Sequence, residues 1–113
     1  MSNISEKLMK IRDAITPVAP KVFHYWRTNA RAPYLIWMED GEDGSLHTDN
    51  RKQEQQLHGT VDYFTKTEFD PVVDAVQTAL NEITRGAYGW RLTGVQYEEE
   101  TSLIHYSWEW WVV

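Results

Sequence analysis

The stretch Leu57-His58-Gly59-Thr60-Val61-Asp62-Tyr63-Phe64-Thr65, followed closely by Asp70-Pro71-Val72-Val73, decides the reading of the fold. From Leu57 onward the side chains alternate. Leu57, Gly59, Val61 and Tyr63 fall on one side, and His58, Thr60, Asp62 and Phe64 on the other. That is the period of a strand with one buried face. Asp70 then suits a helix N-cap and Pro71 the first helical position. Val72, Val73, Val76, Ala79, Leu80 and Ile83 line one face of the helix that follows, and Gly86 and Gly89 bracket its exit.

Toward the C-terminus, Trp90–Tyr97 and Leu103–Val113 read as two strands around the turn Glu98-Glu99-Glu100-Thr101-Ser102. The apolar phase shifts between Leu92 and Val95, which places a β-bulge at Thr93-Gly94. Pairing Tyr97 with Leu103 across the turn sets Trp90 opposite Trp110. Ile104, Tyr106, Trp108, Trp110 and Val112 share the face suited to the core. Leu103, His105, Ser107, Glu109, Trp111 and Val113 share the other. Trp111, Val112 and Val113 then run past the regular partner strand. An apolar edge of this kind is an aggregation hazard unless it is covered, either by the rest of the chain or by another subunit.

Toward the N-terminus, Tyr34-Leu35-Ile36-Trp37-Met38 is apolar on both faces, as an inner strand is. Before it, Ile4, Leu8, Ile11 and Ile15 share a helical face. Asn3 and Glu6 form a capping pair, and Pro17 and Pro20 stop the helix. In residues 18–33, Val22, Phe23, Tyr25 and Trp26 could begin a short strand, whereas Asn29, Ala30, Arg31 and Pro33 read as loop. Glu39–Gly44 is acidic and rich in turn residues, and 41–56 reads as a long polar connection. The expectation is one α+β domain over residues 1–113. It has a four-stranded antiparallel sheet with two helices packed on one face, in the order α-β-β-α-β-β, and a long loop between the first two strands.

Composition narrows the function classes. Of 113 residues, 42% are hydrophobic and 25% charged, which is enough to build a core without metal or disulfide. The absence of cysteine removes disulfide scaffolds, cysteine-zinc sites and thiol catalysis. A net charge of −6 disfavours general phosphate binding. The first fifteen residues lack a signal-peptide pattern, and no apolar run approaches the roughly 20 residues of a membrane span. The product is therefore expected to be intracellular, or assembled inside a cell, with no membrane partner.

No catalytic motif is present: no G-x-S-x-G, no H-E-x-x-H, no Walker A loop and no G-x-G-x-x-G. The histidines (His24, His47, His58, His105) form no i, i+4 pair. Starting a calcium loop at Asp43 puts Glu54 at its twelfth position, but Thr48 stands where that turn needs glycine. Neither cofactor, metal nor catalysis is expected. Lys21, Arg27 and Arg31 lie in a segment without acids (14–38) and alternate with Phe23, Tyr25, Trp26 and Tyr34. Three uses fit this segment: stacking and charge toward a single strand, stems covering aromatics at a sheet edge, or an interface facing the acidic residues of a neighbouring copy. The candidate interface residues are thus Lys21, Arg27, Arg31, Glu39, Asp40, Glu42 and Asp43, with Trp111, Val112 and Val113 at the C-terminus.

Thr60–Lys66, Asp70–Val73, Ala79-Leu80-Asn81 and the hairpin Trp90-Arg91-Leu92 to Leu103–Trp108, with the Tyr34–Met38 strand after a helix, resemble the core of tailed-phage tail terminator and tail-completion proteins. The likeness spans most of the chain and consists of β-runs and a helix start. It implies a ring-forming subunit, commonly a hexamer, that caps the tail tube in the virion and is assembled in the host cytoplasm. Its partners would be other copies of itself, the tail tube protein and the head–neck connector, without specific nucleic acid. Other head–tail connectors and minor capsid proteins share the pattern. A small enzyme or binding domain with an aromatic pocket is a more distant alternative.

Overall fold

A computed structural model describes residues 3–27, 29–48, 51–84 and 89–113, with backbone only for 43–48 and 51–54. The elements run α1 (Ile4–Ile15), a short 3-10 turn (Thr16–Val18), β1 (Val22–His24), β2 (Tyr34–Thr48), β3 (Arg51–Thr65), α2 (Pro71–Ile83), β4 (Trp90–Glu98) and β5 (Leu103–Val112). The class is α+β. The sheet, however, has five strands in the order β1-β2-β3-β5-β4 and is mixed. The added strand is β1, which pairs parallel to β2 through Val22↔Leu35, Phe23↔Ile36 and His24↔Trp37. Three residues are too few to show a period, which is why the sequence pattern does not settle it.

The expected connection at 41–56 is instead the distal half of a β-hairpin. Ser45 pairs with Gln55, Leu46 with Glu54, His47 with Lys52 and Thr48 with Arg51. Three register irregularities, between Glu39/Gly41, Glu42/Ser45 and Leu46/His47, break the alternation that would have signalled strands. β5 pairs with β3 only from Leu57↔Val112 to Thr65↔Ile104. Beyond Leu57 the hairpin continues as a two-stranded arm, and the molecule is 54 Å long by 24 and 22 Å across.

Local rules hold well at the helix starts. The Asn3 side chain accepts from the Glu6 amide at 2.9 Å and donates to the Glu6 carboxylate at 3.2 Å. The Asp70 carboxylate accepts from the Val72 amide at 2.9 Å. In α2 the buried residues are Val76, Ala79 and Leu80, with Val72, Val73 and Ile83 packed around them. The inward face of α1 holds Leu8, Ile11 and Ile15 as expected, but Lys7 joins it and Ile4 leaves it. Lys7, Ile11 and Ile15 are buried, while Ile4 is 45% exposed. Lys7 is covered because its Nζ donates to the Gln55 carbonyl at the root of the arm, at 2.8 Å.

Ile11 and Ile15 of α1 and Val76 and Leu80 of α2 join one cluster with Leu35, Trp37, Leu57, Val61, Tyr63, Trp108, Trp110 and Val112 of the sheet. Both helices therefore cover the same sheet face. Trp90 does oppose Trp110, although Tyr97 pairs with Ile104 rather than Leu103. The bulge between Leu92 and Gly94 supplies the extra residue that restores the tryptophan pair. The apolar end of β5 is covered within the chain. Leu57 and His58 of β3 pair with Val112 and Trp111, and the Trp111 amide donates to the Gly89 carbonyl at 2.7 Å.

Gly59 is the Cα partner of Trp110. A Cβ added there would overlap the Trp110 indole and the Met38 carbonyl. Gly59→Ala should therefore destabilise the protein by about 3 kcal/mol, since neither rigid neighbour can give way. Gly94→Ala, where a Cβ meets nothing within 4 Å, should change stability by no more than about 1 kcal/mol. Urea unfolding of both variants checks the contrast. Equal midpoints would contradict it.

Candidate functional site

Three polar constellations line the described sheet, and each has an identifiable structural task. In the first, Tyr63 on the core face of β3 donates its hydroxyl to Asp70 Oδ2 at 2.7 Å, and Thr65 donates to the same oxygen at 2.7 Å. Asp70 Oδ1 takes the Val72 amide. Burial alone would push this carboxyl up, but the three hydrogen bonds outweigh it and hold its pKa below the ordinary 3.8. Burial, and then the bond to Asp70, raise the Tyr63 hydroxyl well above its ordinary 10.0. The cluster fastens the end of β3 to the start of α2.

The second constellation lies on the helix-free face. His105 Nε2 is 2.7 Å from Asp62 Oδ1 and 3.1 Å from Ser107 Oγ, and Ser107 Oγ donates to Asp62 Oδ1 at 2.9 Å. Ser, His and Asp are all present, yet the geometry is not a nucleophile relay. A relay needs the carboxylate on one ring nitrogen and the hydroxyl on the other. Here both meet Nε2, and the serine proton is directed at the carboxylate. Phe64 stacks on His105 with centroids 4.1 Å apart, and Tyr34 stacks on Phe64 at 4.8 Å. The Arg27 guanidinium lies 4.8 Å from the Tyr34 ring centroid.

The third ties four strands together. His58 Nδ1 meets Asp40 Oδ1 at 2.5 Å, and its Nε2 faces Glu109 at 3.7 Å. Glu109 in turn pairs with Arg91 at 2.7 Å. On the β1 edge, His24 Nε2 is 2.8 Å from Glu39 and its ring stacks on Trp37 with centroids 3.8 Å apart. Among the described residues no group of three or more His, Asp or Glu side chains is placed to hold a metal ion.

These contacts redistribute the sequence-derived interface candidates. Glu39 and Asp40 are engaged by His24 and His58, and Glu42 also has a partner. The side chain of Asp43 lies outside the described residues. Val112 is 8% exposed and belongs to the core, and Trp111 tilts against His58 with centroids 5.4 Å apart. Val113 remains 38% exposed. Lys21 Nζ donates to the Arg31 carbonyl. Arg27 Nη1 donates to the Ala30 carbonyl at 3.2 Å and to the Tyr34 hydroxyl at 3.0 Å. Arg31 is exposed and lines a cleft of about 520 Å³ with Arg27, Lys66 and the acidic Glu100 of the β4–β5 turn.

The apolar surface lies elsewhere. Leu92, Val95 and Tyr97 of β4 are 42%, 52% and 62% exposed, Trp26 is 71% exposed and Phe69 91%. Sequence reasoning assigned the first three to a strand but had no signal that the helices stop short of them. The described helices are too short and polar to cross a membrane. No protein-family model matches the chain, and no curated protein is significantly similar to it.

Asp70→Ala should cost on the order of 3 kcal/mol, because it removes the cap and leaves the Tyr63 and Thr65 hydroxyls buried without an acceptor. The pH dependence follows from the direction of the shift. A depressed carboxyl contributes its full stabilisation above its unfolded value near 3.8 and loses it as pH falls through the lower folded value. Tyr63, shifted up, loses its contribution only above its unfolded value near 10.0. Denaturant titrations at a series of pH values should show Asp70→Asn with a shallower loss of stability below pH 4 than the parent chain. Parallel curves would contradict the assignment.

Proposed function

We propose that this chain is a structural assembly subunit of the tail-terminator type. It forms a closed ring of its own copies, caps a tail tube and joins it to the head–neck connector, and it acts by adhesion rather than by chemistry. The observation that carries the reading is the β2–β3 arm, in which residues 43–48 and 51–56 continue as a pair beyond the last β3–β5 partners, Leu57 and Val112. A two-stranded ribbon is marginal by itself in water. Such an arm earns its place by reaching a surface outside its own sheet. Lys7 and Gln55 brace its root against α1, so that its direction is set before contact. The resemblance described above supplies the partner class. A heterologous contact whose rotation closes supplies the ring.

The test shortens the arm without disturbing its root. Ser45 and Gln55 are Cα partners, so an Asn-Gly turn in place of residues 46–54 closes the hairpin and keeps the Lys7–Gln55 bond. The full-length chain should form closed rings in electron micrographs and should limit the length of polymerising tail tubes. The shortened chain should unfold at a similar temperature yet bind tube ends at least about tenfold more weakly. A full-length chain that stays monomeric at about 1 mM and leaves tube length unchanged would overturn the proposal.

A further inference from the structure

Three loops meet at one end of the sheet: the chain between β1 and β2, the β3–α2 connection and the β4–β5 turn. Their meeting leaves the cleft of about 520 Å³, with Arg27, Arg31, Lys66 and Glu100 around a floor of Tyr34 and Leu103. The chain as a whole carries 17 acids against 11 bases, so three bases against one acid is a local reversal. A second cleft, of about 320 Å³, shares Lys66 and is lined also by Glu68, Tyr97, Ser102 and Ile104. Leu103 and Ile104 are successive residues of β5, so the two clefts open on opposite faces of the sheet's end, and Lys66 joins them.

The charges in the first cleft are unevenly engaged. Arg27 is held within the chain. It donates to the Ala30 carbonyl at 3.2 Å and to the Tyr34 hydroxyl at 3.0 Å, and its guanidinium lies over the Tyr34 ring. Lys21 donates to the Arg31 carbonyl and pins the backbone there. The side chains of Arg31, Lys66 and Glu100 are exposed and make no hydrogen bond or ion pair among the described residues, although all three line the same cleft. Tyr34 is 6% exposed; its hydroxyl accepts from Arg27, while its own proton has no acceptor among the described residues. A buried donor in that condition calls for an acceptor. Backbone strain gathers here as well. All four described non-glycine residues of positive φ, Tyr25 (+77°), Asn29 (+40°), Phe69 (+56°) and Ser102 (+59°), lie in these three loops.

We infer that this end of the sheet binds a single carboxylate on a peptide segment of another protein, with an apolar side chain beside that carboxylate. Arg31 and Lys66 hold the carboxylate by charge-assisted hydrogen bonds, and the Tyr34 hydroxyl adds a donor from the floor. The apolar neighbour packs on Leu103. The second cleft, reached past Lys66, takes a further residue of the segment. The ligand is part of a larger molecule rather than a metabolite, because Arg31, Lys66 and Glu100 are themselves exposed and enclose too little of a free one. It is not a nucleic acid strand, because Glu68, Glu98, Glu99 and Glu100 stand in the same loops and repel a run of phosphates. Glu100 opposes the carboxylate, so its removal strengthens binding. The site stands whether or not the chain assembles with its own copies.

The test is an NMR titration of the isotope-labelled full chain with N-acetylphenylalanine, which joins one carboxylate to one apolar ring, and with its uncharged amide. Backbone signals within 29–34, 66–69 and 97–104 should shift, and the acid should bind at least about fivefold more tightly than the amide. Arg31→Gln/Lys66→Gln should abolish that preference at an unchanged thermal midpoint, since neither side chain has a partner among the described residues to lose. Glu100→Gln should strengthen acid binding about twofold and leave amide binding as it was. Equal binding of acid and amide, a preference that survives in the double variant, or shifts that are absent or centred on other residues would overturn the proposal. Tighter binding of octathymidylate than of the acid at these residues, with an affinity that falls as salt rises, would overturn it in favour of a single nucleic acid strand.

Discussion

One row of residues holds the molecule together. Glu39 pairs with Gly59, Gly59 with Trp110 and Trp110 with Trp90, so four adjacent strands meet on a single line. Trp110 is fully buried, and its indole occupies the space where any side chain at position 59 would begin. Glycine at that position is a steric requirement rather than a turn preference. The close approach lets one large ring pack directly on the backbone of β3, burying apolar area that a smaller residue could not. Two neighbouring tryptophans then hook the helix onto this row. Trp90 Nε1 donates to Asn81 at 2.6 Å, and Trp108 Nε1 donates to Gln77 at 3.2 Å. The Asp70 cluster completes the attachment at the other end of α2.

This arrangement explains where the surface is left open. α2 is held against the sheet by Trp90 and Trp108, and α1 packs beside it through Ile11 and Ile15. Two helices of 12 and 13 residues cannot also reach the far half of β4 or the distal half of the β2–β3 hairpin. The same packing that secures the core therefore exposes an apolar edge at one side and an arm at one end. The residues that look most like catalytic groups (His105, Ser107 and Asp62, or His58 with Asp40 and Glu109) are engaged with one another across strands, in the manner of cross-strand pairs that hold a sheet's polar face.

Much of the fold was legible because it rests on short-range signals. The Asn3 and Asp70 caps, the alternation from Leu57 to Thr65, the bulge at Thr93-Gly94 and the Trp90–Trp110 pair all follow from spacing along the chain. The last is instructive, since the assumed turn register was one residue out and the bulge compensated. What the pattern left open or missed was of two kinds. β1 was too short to carry a period, and the arm was too irregular, with three register shifts masking its strands. Glu39 and Asp40 read as acids of a turn-rich loop and as interface candidates, but both face histidines brought to them by strand pairing. Such pairings depend on register between distant segments, which no local pattern reports.

The sequence by itself determined the class of the protein: where its helices begin, which faces of its central strands turn inward, and that a basic aromatic segment stands apart from the acids. These are consequences of capping chemistry and of side-chain periods, both of which act within a few residues. Only the tertiary structure decided which acids are spent on histidines, which tryptophan lies against a glycine, and which apolar strand the helices fail to cover. Those outcomes depend on the finite reach of two short helices over a five-stranded sheet, and that competition for cover exists only once the chain is folded.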